Sequence, residues 1–156
     1  MPITTGQSAP DFSLYNTEKQ KITLSEQKGK NVVLLFFPQA FTSVCTAELC
    51  NVRDNLALYN KTNARVFGIS VDSVFTLARF KEDQGLNFDL LSDFNKETAK
   101  AYDVLLENFV LDMRGVSRRA AFVIDTEGII RYAEVLDKAS DLPDFQAIQH
   151  SLEQLA

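Results

Sequence analysis

Val32-Val33-Leu34-Leu35-Phe36-Phe37-Pro38-Gln39-Ala40-Phe41-Thr42-Ser43-Val44-Cys45-Thr46-Ala47-Glu48-Leu49-Cys50 is the stretch from which the rest of the chain can be understood. The unbroken apolar run from Val32 to Phe37 predicts a strand buried on both faces, and Pro38 ends it. Cys45, Leu49, Val52, Leu56 and Tyr59 then follow a 4-3-4-3 spacing. That periodicity predicts an amphipathic helix over about 43–60 with these residues on its buried side. With Thr42 as N-cap, Cys45 is the third helical residue. Unpaired backbone N–H groups and the positive end of the helix dipole at that position favour thiolate over thiol.

The second cysteine, Cys50, falls with Thr46, Arg53, Ala57 and Asn60 on the opposite, polar face. Five residues of ideal helix separate the two Cα atoms by roughly 8.6 Å, whereas a disulfide tolerates at most about 7 Å. The two cysteines can be bonded or helical, but not both. Several chemistries compete at this point. Plain structural cysteine is one, since free cysteine is often buried. A zinc site needs about four ligands, and the chain offers two cysteines and one histidine. That histidine, His150, lies on the polar side of a terminal helix whose apolar positions are Phe145, Ile148, Leu152 and Leu155, which leaves no Cys–His dyad. The C-x-x-C of disulfide oxidoreductases is also absent. Backbone, Thr42 or an arginine is left to activate Cys45.

Composition bounds the setting. The 156 residues, 46% hydrophobic and 24% charged, suit one domain spanning 1–156. A net charge of −5 and no Lys/Arg cluster argue against nucleic acid. The start Met1-Pro2-Ile3-Thr4 carries no secretion signal, and no apolar run reaches the roughly 20 residues of a membrane span. Two cysteines are too few for a disulfide scaffold, so a cytoplasmic protein is expected.

Outward from the central stretch, short strands are predicted at Ala9–Leu14 and Lys21–Leu24, and a longer one at Val66–Val71. A helix opened by Asp72 or Ser73 closes at Gly85. A strand at Phe88–Leu91 and a short helix at Asn95–Tyr102 follow. Ala120–Ile124 and Ile129–Val135 flank Asp125-Thr126-Glu127-Gly128 as a hairpin. Ser140 or Asp141 is expected to cap the last helix, with Pro143 in its first turn. This alternation predicts an α/β fold, a mixed sheet flanked by helices.

Pro38-x-x-x-Thr42-x-x-Cys45 resembles the active-site signature of the peroxiredoxins, thiol peroxidases built on a thioredoxin-like fold with an N-terminal β extension. Ala9-Pro10-Asp11-Phe12, Leu90-Leu91-Ser92-Asp93 and Arg119-Ala120-Ala121-Phe122-Val123-Ile124-Asp125 are similar to further segments of that family, in the same order. Phe36–Thr42, Leu91–Phe94 and Ile130–Glu134 look most like the AhpE-like branch. Cys50 is similar instead to the resolving cysteine of the bacterioferritin-comigratory (PrxQ) branch.

The resemblance implies reduction of hydrogen peroxide and organic hydroperoxides. Cys45 would be the peroxidatic thiol, giving a sulfenic acid, and Cys50 its resolving partner in an intramolecular disulfide. Thr42 would align the peroxide, and Arg119 would face the transition-state charge. Pro38 would shield the sulfur, and Glu48 would orient the arginine. Arg119 is preferred over its neighbour Arg118 because it stands three residues before the strand phenylalanine, Phe122. Phe37, Phe41 and Phe80 are candidates for the pocket wall or the core, and Phe41 also for a dimer contact. A thioredoxin-type protein would be the reductant, and no metal, flavin or haem is expected. Monomer and homodimer both stay open. The alternatives are a one-cysteine peroxidase served by a low-molecular-weight thiol or glutaredoxin-like protein, and a non-enzymatic Cys45–Cys50 redox switch.

Overall fold

The central apolar run forms the third strand, β3 (Asn31–Phe36), and every residue of it is buried. The computed structural model describes residues 3–138 and 140–155. Met1, Pro2 and the two alanines at 139 and 156 lie outside it, so the reading of the first two residues is not addressed. Before β3 come β1 (Ser13–Asn16), β2 (Lys21–Thr23) and a turn of 3₁₀ helix at Leu24–Gln27. After it come α1 (Ser43–Asp54), α2 (Leu56–Lys61), β4 (Ala64–Ser70), α3 (Val74–Gln84), β5 (Asp89–Ser92) and α4 (Glu97–Ala101). The chain ends through a small ladder of β6 (Leu105–Leu106) and β7 (Val116–Ser117), then β8 (Ala120–Ile124), β9 (Ile130–Val135) and α5 (Phe145–Gln154).

The main sheet has the order β2-β1-β5-β4-β3-β8-β9. Strands β3, β4 and β5 are parallel, and β1, β8 and β9 join antiparallel to their neighbours. Alternation along β3 separates two cores, as the period-2 geometry of a strand requires. Val33, Leu35 and Phe37 face a layer made by Leu49, Val52, Tyr59, Leu77, Phe80, Ile148 and Leu152. Val32, Leu34 and Phe36 face the other, made by Phe12, Leu24, Ala99, Tyr102 and Val104. Gly68 on β4 leaves room for the side chains of the neighbouring strands that pack over it. A Cβ there would stand 2.7 Å from Leu90 Cδ2, 3.3 Å from Phe37 and 3.6 Å from Leu49.

Several boundaries differ from the sequence expectation, four of them for visible reasons. The helix expected over 43–60 is interrupted at Asn55, whose backbone leaves helical geometry (φ −118°, ψ 16°) while its side chain bonds back to the Asn51 carbonyl at 2.8 Å. An asparagine that satisfies a carbonyl in this way competes with the backbone ladder. The first strand begins at Ser13 rather than Ala9. Pro10 has no N–H to give, and the Asp11 carboxylate binds the Phe12 and Ser25 nitrogens instead. The last helix is capped by Asp144, which accepts from the Ala147 N–H, so Pro143 precedes the helix instead of opening it. The helix expected from Asn95 starts only at Glu97, where Asp93 accepts from the Thr98 and Ala99 nitrogens.

Candidate active site

The site forms beyond the carboxyl ends of the parallel strands β3 and β4, the usual position of function in an open α/β sheet. Pro38 leaves β3 and is buried. Phe41 then adopts a left-handed backbone (φ 69°), which reverses the chain into α1. The loop is pinned from β4, because the Asp72 carboxylate accepts both the Ala40 N–H at 2.8 Å and the Ser70 hydroxyl at 2.7 Å. Thr42 is the N-cap by backbone position, as expected. Its hydroxyl does not cap the helix, however, and donates instead to the Gln39 carbonyl at 3.0 Å.

Cys45 follows in the first turn of α1 with none of its surface exposed. Arg119, only 2% exposed, enters from just before β8 and donates from Nη2 to the Cys45 sulfur at 3.2 Å. Its Nη1 donates to Glu48 Oε1 at 2.5 Å. Cys45 and Glu48 are separated by one helical turn, so one face of α1 presents both to the same guanidinium. Glu48 is fully buried rather than exposed, and its Oε2 has no hydrogen-bond partner among the described residues. Burial pushes the Glu48 carboxyl up to about 7; Arg119 pulls it down and Glu134 adds to the rise. Arg119 is held above its ordinary value, since Glu48 and Cys45 outweigh the opposing effect of burial. The arginine therefore carries its charge throughout, and the carboxyl is the member that titrates.

The structure brings together Cys45, Arg119 and Glu48, with Thr42 and Pro38 on the loop that delivers them. It does not bring Cys50 to Cys45, and both thiols are free. Cys50 is half-buried on the other face of α1, its Sγ 3.6 Å from Gln84 Oε1. Phe37 and Phe80 are core residues, while Phe41 is half-exposed with its ring 5.1 Å from that of Phe80. Arg118 is partly exposed and His150 is exposed. Sequence reasoning missed the loop anchor made by Asp72 and the contact of Gln84 with Cys50. A carboxylate directly after a parallel strand was the available signal for the first.

Comparison with known proteins gives the family. The AhpC/TSA family model matches residues 5–133. Alkyl hydroperoxide reductase E of Mycobacterium tuberculosis is 38% identical over 136 residues, covering 85% of this chain and 86% of that protein. Peroxiredoxin Bcp of Bacillus subtilis is 39% identical over 130 residues, covering 82% of each. Among solved structures, peroxidoxin BcpB of Mycobacterium tuberculosis matches with a TM-score of 0.87 at 28% identity, over 99% of each chain.

Proposed function

Since the chain belongs to the AhpC/TSA family, the thioredoxin-fold peroxiredoxins, and is a thiol-dependent peroxidase, we propose that Cys45 is the thiol that attacks the peroxide. The Cys45 sulfur bonds to one oxygen of the peroxide as the O–O bond breaks and becomes a sulfenic acid, while the other oxygen leaves as alcohol or water after taking a proton. The observation that carries this reading is the Arg119 bridge between a buried cysteine sulfur and a buried carboxylate. The guanidinium brings positive charge to the sulfur in a site from which water is excluded. The same group faces the charge that develops on the leaving oxygen, where preorganised donors act most strongly.

Thr42 takes a more specific role than a generic hydroxyl. Its proton is already given to the Gln39 carbonyl, so its oxygen is an acceptor for the peroxide O–H and aligns the O–O bond with sulfur. Pro38 offers no N–H and keeps the sulfur's surroundings dry. Glu48 orients the guanidinium. Hydrogen peroxide and organic hydroperoxides are the proposed substrates, in the cytoplasm. No helix among the described residues is long and apolar enough to cross a membrane.

Cys50 is the proposed resolving thiol. It condenses with the Cys45 sulfenic acid to give a disulfide and water, and a thioredoxin-type protein reduces the product. Because the two thiols sit on opposite faces of α1, this step needs the helix start to unwind. The seat of Cys50 beside Gln84 also favours a second reading, in which Cys50 never leaves its place and an external thiol reduces Cys45 directly. Peroxide consumption by the purified protein, with and without a thioredoxin system, tests the activity. Peptide mapping after treatment separates the two readings. A Cys45–Cys50 linked peptide lighter by about two hydrogens supports the first, and Cys45 sulfenic or sulfinic acid beside free Cys50 supports the second.

A further inference from the structure

The contacts that hold Cys50 are made by one small group of residues. Gln84, the last residue of α3, accepts from the Cys50 sulfur through its side-chain Oε1. Its backbone carbonyl accepts from Nη1 of Arg53, one turn further along α1. Asn87, just beyond, donates to the Arg53 carbonyl at 3.2 Å. The carbonyl of Gln84 is available because α3 ends at Gly85 in the left-handed conformation (φ 60°), with the Gly85 and Leu86 nitrogens bonded back to the Glu82 and Lys81 carbonyls. That arrangement satisfies earlier carbonyls and leaves the last one for a cation, which suits the negative end of the helix. A single residue thus grips α1 twice, at the thiol and at the turn below it.

We propose that Gln84, with Arg53, is a latch that sets how the Cys45 sulfenic acid is partitioned between resolution and over-oxidation. This rests on Cys50 being the resolving thiol. Two reactions compete for the sulfenic acid. In one, the Cys50 sulfur attacks it, an S–S bond forms, and the hydroxyl leaves as water. In the other, a second peroxide molecule transfers an oxygen to the same sulfur, giving sulfinic acid and an alcohol or water. Only the first requires Cys50 to leave Gln84. A thiol is a weak donor, so the Cys50 contact is the part that releases. The Arg53 contact to the helix end is charge-assisted and stronger. It is the stop that keeps residues beyond Arg53 docked while the turns before it open. The latch therefore slows resolution without touching the peroxide or the Cys45 sulfur.

The test compares wild type with Gln84→Ala and Gln84→Glu. For each, the peroxide concentration that converts half of Cys45 to sulfinic acid in one turnover is measured by mass spectrometry, and the rate of the first oxidation by stopped flow. Gln84→Ala should raise that concentration about two- to tenfold, the rate equivalent of one net hydrogen bond. Gln84→Glu, a stronger acceptor for the thiol, should lower it. First-oxidation rates should be unchanged in both. Hydrogen exchange should show faster opening of 47–52 in Gln84→Ala with α3 and the sheet unchanged, which a general loss of stability would not give. A linked peptide in wild type with the same threshold in all three proteins overturns the latch alone. Absence of the linked peptide in wild type overturns the resolving role of Cys50, and the latch with it.

Discussion

From Ser43 to Leu49, α1 is fastened by charge and by core. Its thiol is wholly buried and bonded to a guanidinium that a second buried residue of the same helix holds in place. From Cys50 to Asp54 the same helix keeps one core anchor, the fully buried Val52, and is otherwise held at its surface, by one sulfur contact and an arginine whose side chain is 32% exposed. Twelve residues of continuous helix thus join an end that is rigid in the reduced protein to one with fewer ties. Rigidity serves the first step, in which a preorganised site must meet developing charge. Fewer ties would serve the proposed second step, in which Cys50 resolves Cys45 and two sulfurs on opposite faces must meet.

The sharpest way to break this contrast is to remove the reactive sulfur. Cys45→Ser should abolish peroxide reduction, since a serine oxygen there stays protonated and is a poor nucleophile. A peroxidase assay that retains more than a few per cent of the wild-type rate would move the chemistry elsewhere. Next come the residues that serve the rigid end. Arg119→Ala and Thr42→Val should each lose on the order of 10²-fold or more in kcat/KM, comparable to the loss of one oxyanion-hole donor. Near-normal rates in either would remove that residue from the site.

Much of this was legible in advance, and for identifiable reasons. Strands β3 and β8 are continuous apolar runs, and α3 carries both of its signals, a serine N-cap and a terminal glycine. Cys45 and Arg119 stood out because motif and position agreed. Asn55 did not, because an asparagine is tolerated within a helix and only its side-chain bond to the Asn51 carbonyl marks the break. The start of α5 is read from sequence at Ser140 or Asp141, and Asp144, an equally acceptable cap, holds it instead. Glu48 shares a helix face with Cys45 and Val52, yet its charge argues for solvent; only the arrival of Arg119 from 71 residues away makes its burial tolerable. The Gln84 contact with Cys50 has no local signature at all.

Glu48 also offers a graded test of the rigid end. Its folded-state value near 7 lies above its ordinary 4.5, so the native protein binds a proton that the unfolded chain has released. The stabilisation from this proton is complete below about pH 4.5 and is lost as pH rises through 7. Stability of the wild type should therefore fall relative to Glu48→Gln between pH 5 and 8. The difference has an upper bound of about 3 kcal/mol and is readable from urea midpoints. Parallel pH profiles would show that Arg119 keeps the carboxylate ionised throughout.

The smallest expected effect concerns the end with fewer ties. Oxidation should accelerate amide exchange around Cys50 while β3, β4 and β8 stay protected. Equal protection in both redox states would make Cys50 a bystander and the two ends of α1 alike.

Gly68 connects these matters to the sheet beneath α1. Leu90 and Phe37 close over the place where its side chain would stand, with Leu49 of α1 in ordinary contact beside them. The floor on which the reactive helix rests is thus shaped by an atom that the chain omits. A methyl group added there would press first on Leu90, 2.7 Å away, and would register as a fault of the floor before any fault of the chemistry.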